Sequence, residues 1–117
     1  MIRTKRVYSE PSPRDGVRIL VDRIWPRGIS KKWARIVEWR KDLAPTTSLR
    51  KWFGHKPARW IEFRRRYRAE LVRSEMMDEL KKLACRSRKR TLTLVYGAAD
   101  EQYNQAVALK ELLDKLT

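Results

Sequence analysis

The placement of two short apolar stretches constrains the fold most. Val17-Arg18-Ile19-Leu20-Val21-Asp22 and Thr91-Leu92-Thr93-Leu94-Val95-Tyr96 are rich in β-branched and aliphatic residues, which predicts two buried strands. Between them lies a long segment with helical periodicity. Strands joined through helices need crossover connections, and these predict a largely parallel sheet with helices on both faces.

The remaining elements fit this frame. Residues 2–8 mix β-branched, aromatic and basic side chains and read as a first strand. Two prolines, two serines and an Asp15-Gly16 pair make residues 9–16 a loop. Ser30 is a suitable N-cap for a short helix over 31–35. Residues 36–40 alternate well enough for a further strand, with helix as the competing reading. Pro45 marks 42–47 as a loop, residues 48–53 read as one or two helical turns, and Gly54 stops them. From Pro57 a long helix carries Trp60, Phe63, Tyr67 and Leu71 on one stripe and arginines elsewhere. A helix with Met76, Met77, Leu80, Leu83 and Ala84 inward follows, and a last helix runs over 100–116. The expected fold is α/β: one three-layer domain over 1–117, with a small, mostly parallel sheet of about four strands flanked by helices. A chain of this length buries roughly two-thirds of its unfolded surface, enough for a core without covalent staples.

Charge and cysteine usage narrow the partners. The chain has 29 Lys plus Arg against 14 Asp plus Glu, a formal net charge of +15. That excess favours phosphate-bearing ligands, small or polymeric; a surface adapted for solubility or for habitat is the alternative. One Cys and one His argue against a disulfide framework and against a tight transition-metal site, so no metal and no cofactor is expected. No apolar run approaches the ~20 residues of a membrane span, and no apolar stretch follows the N-terminal charges. These features predict a reduced, cytoplasmic protein with no membrane partner; they leave the oligomeric state open.

In an open parallel sheet, ligands bind beyond the carboxyl ends of the strands. That rule selects Asp22-Arg23-Ile24-Trp25-Pro26-Arg27-Gly28, Lys41-Asp42-Leu43-Ala44-Pro45 and Tyr96-Gly97-Ala98-Ala99-Asp100. Arg23 and Arg27 are candidates to clamp a phosphate or carboxylate, with Asp22 orienting them, Trp25 walling the pocket and Lys41 adding field. The competing reading makes Asp22 a structural salt-bridge partner of Arg23 or Arg27, with Trp25 as packing. Asn104 either reaches back toward the pocket or is only solvated. His55 and Tyr96 are candidate proton-transfer groups. Cys85 falls within an apolar helical pattern and is expected to pack. No Walker or dinucleotide fingerprint is present. Arg64, Arg65, Arg68 and Arg88 define an alternative: a nucleic-acid-binding face with Trp52 or Trp60 stacking on bases. Docking of an acidic protein partner is a third possibility.

Taken in order, Val21-Asp22-Arg23-Ile24-Trp25-Pro26-Arg27-Gly28, Lys41-Asp42-Leu43-Ala44-Pro45, Leu49-Arg50-Lys51-Trp52-Phe53-Gly54-His55, Phe63-Arg64-Arg65-Arg66-Tyr67 and Asn104-Gln105-Ala106 resemble the YeaO-like proteins, a family of unknown function. The resemblance covers nearly the whole chain. It implies a small α/β domain of cytoplasmic type and brings no reaction, so no catalytic residue is carried over from it. Two positions depart from the family pattern. Lys56 stands where an acidic residue is common, which removes a helix cap beside His55. Tyr103 stands where histidine is common, which removes one member of a histidine pair.

Overall fold

A computed structural model describes residues 1–117. In chain order the elements are β1 (Ile2–Arg6), β2 (Val17–Leu20), α1 (Lys31–Ala34), β3 (Glu38–Trp39), α2 (Thr47–Phe53), α3 (Trp60–Arg73), α4 (Met77–Ser87), β4 (Leu92–Tyr96) and α5 (Gln105–Leu116), with 3-10 turns at Pro13–Asp15, Lys41–Leu43 and Pro57–Arg59. The four strands form one parallel sheet in the order β1-β4-β2-β3. The last strand in sequence therefore sits between the first two. Leu92 lies opposite both Ile2 and Val17, and Val95 lies opposite both Lys5 and Leu20. All five residues of β4 are buried, as a central parallel strand covered on both faces requires.

The two faces are covered unequally. On one, α2, α3, α4 and α5 bury Ile2, Val17, Ile19, Leu92, Leu94 and Tyr96 in the main core. The expected α3 stripe is present: Phe63, Tyr67 and Leu71 are buried, and Trp60 is half-buried at the helix start. Phe53, Phe63 and Tyr67 stack in series, with centroids 4.3 and 5.7 Å apart. On the other face, the single turn of α1 and its flanking loops cover a small cluster of Val7, Leu20, Ala34 and Val95.

The smaller face also holds a buried ionic group. Asp15 accepts from Arg18 Nη1 at 2.6 Å and from Lys5 Nζ at 3.1 Å, while Arg18 Nε donates to the Ala34 carbonyl at 2.8 Å. Burial pushes the Asp15 carboxyl up, but the Ser12 N–H, Lys5 and Arg18 outweigh it and hold it below its ordinary value. This group ties the loop before β2 to β1, β2 and the end of α1.

Three expectations need correction. The last helix begins at Gln105, not near residue 100. Asp100 Oδ1 accepts the N–H groups of Gln102 and Tyr103, both at 2.9 Å, and holds a turn until Asn104 caps the helix. Cys85 is exposed, because position 85 lies outside the buried stripe of Leu80, Leu83 and Ala84. The strand expected over 36–40 shrinks to Glu38–Trp39, an edge strand paired only with β2.

Gly16 joins the ionic loop to β2 with φ +64°, and a Cβ there would lie 2.1 Å from the Thr91 carbonyl oxygen. Gly28 also has positive φ, but a Cβ at that position would meet nothing within 4 Å. Gly28→Ala should cost about 1 kcal/mol, the backbone penalty alone. Gly16→Ala adds a clash with the β2–β4 junction and should cost well over ~2 kcal/mol. Urea denaturation of the two variants checks the ordering; equal costs would refute the packing argument.

Candidate functional site

The C-terminal ends of β1, β2 and β4 open into one cleft of about 380 Å3. Its walls come from the segments after these strands, from Ala44-Pro45 after β3, and from α2, His55 and the first residue of α5. The loops selected by the strand-end rule do share a rim, because the sheet is parallel throughout.

At the floor is Asp22. Its Oδ2 accepts the Gly97 N–H at 2.8 Å, and its Oδ1 accepts from Gln105 Nε2. A Cβ at position 97 would stand 2.8 Å from Oδ2, so the missing side chain of Gly97 is what admits the carboxylate. The expected Asp22–arginine salt bridge does not form. Burial pushes the Asp22 carboxyl from its ordinary 3.8 up to about 6, against the opposing pull of Gly97, Arg50, Gln105 and His55.

The arginines are held differently from one another. Arg23 donates from Nε to the Pro45 carbonyl at 3.1 Å and from Nη2 to the Ala44 carbonyl at 3.3 Å. That segment is itself fixed by the buried Tyr67 hydroxyl, which donates to the Leu43 carbonyl. Arg27 and Arg50 are exposed on the cleft wall and, like Arg23, take part in no salt bridge. Trp25 both lines the cleft and packs. It meets the Trp39 ring edge-on at 5.3 Å, and its indole N–H donates to the Ile29 carbonyl at 2.7 Å.

His55 lies on the cleft with Nδ1 3.2 Å from the Tyr103 carbonyl, which can only accept; Nδ1 therefore carries a hydrogen and Nε2 is the free ring nitrogen. Gly54 and His55 both have left-handed backbone, with φ 53° and 54°, and this tight exit from α2 turns the imidazole toward the start of α5.

Three sequence candidates fall outside the cleft. Tyr96 is buried in the main core, where burial pushes its hydroxyl pKa up. Lys41 sits 4.0 Å over the Trp39 ring. Asn104 is buried as the α5 cap, accepting from the Val107 N–H at 3.0 Å and donating to the Asp100 carbonyl at 2.9 Å. Conversely, Tyr8, Arg50 and Gln105 line the cleft and are not among the candidates that the sequence supplies. Gln105 carries one signal, its place just after a good N-cap residue. Arg50 carries none, since its orientation toward the cleft comes from the packing of its helix on the rest of the chain.

The alternative arginine face is largely engaged within the chain. Arg64 pairs with Glu111 at 2.9 Å, and Arg65 and Arg66 pair with Glu62 at 2.6 and 2.8 Å. Arg59 and Arg66 lie over the Trp52 ring, while Trp60 packs on Phe63 and Tyr103. Arg68 and Arg88 are exposed. No cluster of His, Cys, Asp and Glu is placed to hold a metal ion, and no helix is long and apolar enough to cross a membrane.

Comparison with known proteins gives the class to which this chain belongs. The chain is a member of the DUF488-N3i family, described as the inactive DUF488-N3 subclade, whose profile matches residues 1–117. Among its relatives, the uncharacterised protein YeaO of Escherichia coli is 44% identical over 115 residues, covering 98% of each chain. An uncharacterised protein of Mycobacterium tuberculosis is 43% identical over 113 residues, covering 97% of this chain and 93% of its own. No solved structure gives a significant match.

The Asp22 geometry makes stability depend on pH in a defined direction. The folded pKa lies above the ordinary one, so the folded state holds the proton more tightly. The contribution is fully present below about pH 3.8 and is lost as pH rises through about 6. Asp15, Glu38 and Asp42 are held below their ordinary values, so their contributions are lost as pH falls, the opposite sign to that of Asp22. Asp22→Asn can keep both hydrogen bonds if the Gln105 amide rotates. Its stability relative to the parent should rise by about 2–3 kcal/mol between about pH 4 and pH 7. Urea titrations across that range measure this; a difference independent of pH would contradict the raised pKa.

Proposed function

We propose that the cleft binds a phosphate- or carboxylate-bearing anion, and that it does so as a recognition site within a reduced, cytoplasmic protein. The observation that carries this reading is the convergence of Arg23, Arg27 and Arg50, none of them ion-paired, on one cleft at the strand ends. Arginine presents planar paired donors that match phosphate and carboxylate oxygens. Arg23 is already fixed by two carbonyls and supplies a preorganised charge. Arg27 and Arg50 are free to close on a ligand from the wall.

Asp22 sets the limits of this site. Ionised, it opposes an anion; protonated, it does not. Its hydrogen bonds to Gly97 and Gln105 make it part of the floor, so its charge is tolerated only because the arginines exceed it. The description of the subclade as inactive fits a site that retains anion recognition, and we assign no reaction to it.

Titration calorimetry with sulfate, whose charge is constant over the working range, tests the reading. Arg27→Ala and Arg50→Ala should each weaken binding about tenfold, the effect of one charge-assisted hydrogen bond. Affinity should rise as pH falls through about 6, and Asp22→Asn should flatten that rise. Unchanged affinity in both arginine variants, with circular dichroism unchanged, would refute the proposal.

A further inference from the structure

A second concavity, sharing no residue with the cleft, runs between α3 and α5 and measures about 350 Å3. Trp60 of α3 meets Tyr103, in the turn before α5, at 5.4 Å between ring centroids, and the two helices meet at the Arg64–Glu111 ion pair. Between and beyond these contacts the groove has an apolar floor of Leu71, Leu109 and Leu112. Ile61 stands at its edge, 78% exposed, although the stripe that α3 needs for its own packing is Phe63, Tyr67 and Leu71. Ile61 lies outside that buried stripe and extends the apolar surface of the groove to its edge.

The rim decides what fits. Arg64, Arg65, Arg68 and Lys115 surround the floor against the single carboxylate of Glu111. Arg68 and Lys115 form no salt bridge. A second copy of this chain would set the unpaired Arg68 and Lys115 against their own counterparts across the same contact, which like-charge repulsion opposes. A nucleic-acid backbone would leave the apolar floor uncovered, and Arg64 and Arg65 already answer carboxylates. An acidic amphipathic helix matches both features. Its apolar stripe would fill the floor, and its flanking Asp and Glu would meet the rim. The groove runs along α3 from Ile61 to Leu71, about 15 Å of helix, enough for about three turns of a partner helix.

We propose that the α3–α5 groove docks an acidic amphipathic helix of a partner protein, with Ile61 and Leu112 as the apolar contacts and Arg68 and Lys115 as the charge contacts. The probe is a labelled helical peptide with leucines at i, i+4, i+7 and i+11 and glutamates on the flanks, read by fluorescence anisotropy against the full chain. Saturable binding should weaken at least tenfold with Ile61→Asp and with Arg68→Glu, both exposed positions whose fold is checked by circular dichroism. Arg27→Ala should leave it unchanged, which separates this groove from the cleft. A peptide of the same composition with its leucines dispersed should bind at least tenfold more weakly. Equal binding of the two peptides, or no effect of either groove variant, would overturn the proposal. So would full displacement by single-stranded RNA, which would assign the face to a polyanion, or a concentration-dependent dimer in sedimentation that Ile61→Asp dissolves, which would assign it to self-association.

Discussion

The carboxylate of Asp22 joins three elements, two of which lie more than seventy residues beyond it in sequence. Through the Gly97 N–H it fixes the end of β2 to the end of β4, and through Gln105 it fixes both to the start of α5. The Asp22 carbonyl accepts the Trp39 indole N–H at 2.8 Å and so reaches β3 as well. Hydrogen bonds along the β2–β4 ladder would align the strands without this residue. The carboxylate fixes what lies beyond the ladder, where the backbone has left regular pairing and the cleft begins. Its raised pKa is the electrostatic consequence of occupying that place with one N–H, one amide and no salt bridge.

The high positive charge is accommodated by segregation. On the smaller face, Arg18 and Lys5 share the buried Asp15. Arg40 meets Asp42, Glu38 and Glu79, and Arg86 meets Glu38. On α3, Arg65 and Arg66 share Glu62. Unpaired cations remain at defined places, and two of these are concave: the strand-end cleft and the α3–α5 groove. Exposed pairs of this kind contribute little to stability, but they determine which arginines stay available for a partner.

The sheet is legible in the sequence because it rests on patterns within short windows. The stretches around Ile19 and Leu94 are apolar enough to be central strands, and the helices between them require crossovers. Ser30 and the α3 stripe are equally local signals. Legibility fails where a side chain's partner is distant in sequence. Asp22 reads as a carboxylate in need of a partner, but nothing near it specifies Gly97 and Gln105 over the adjacent arginines. The backbone positions of Tyr96 and Lys41 point to the rim; the pleat sends the tyrosine into the core, and Trp39 draws the lysine ammonium onto its ring. Asn104 reads as part of a helix because an Asx turn at Asp100 resembles a first turn in sequence. Arg50 enters the cleft only through the docking of α2 on α3, where Phe53 stacks on Phe63 and Thr46 meets Glu70.

An aspartate at position 22 has a structural rationale that works against the proposed ligand. Two donors converge on it, and a carboxylate supplies two acceptors without requiring either donor to turn. Asparagine would satisfy both only after the Gln105 amide reverses, because its own amide nitrogen cannot accept. The charge is thus a by-product of the acceptor geometry, and Arg50 and His55 moderate it. An anion held by Arg23, Arg27 and Arg50 would draw on the same positive field and would raise the Asp22 pKa further. Linkage requires the converse in equal measure: whatever factor binding adds to proton affinity at Asp22, protonation adds to anion affinity. With its pKa raised to about 6, Asp22 would couple anion occupancy of the cleft to pH through the interaction that holds the strand ends together.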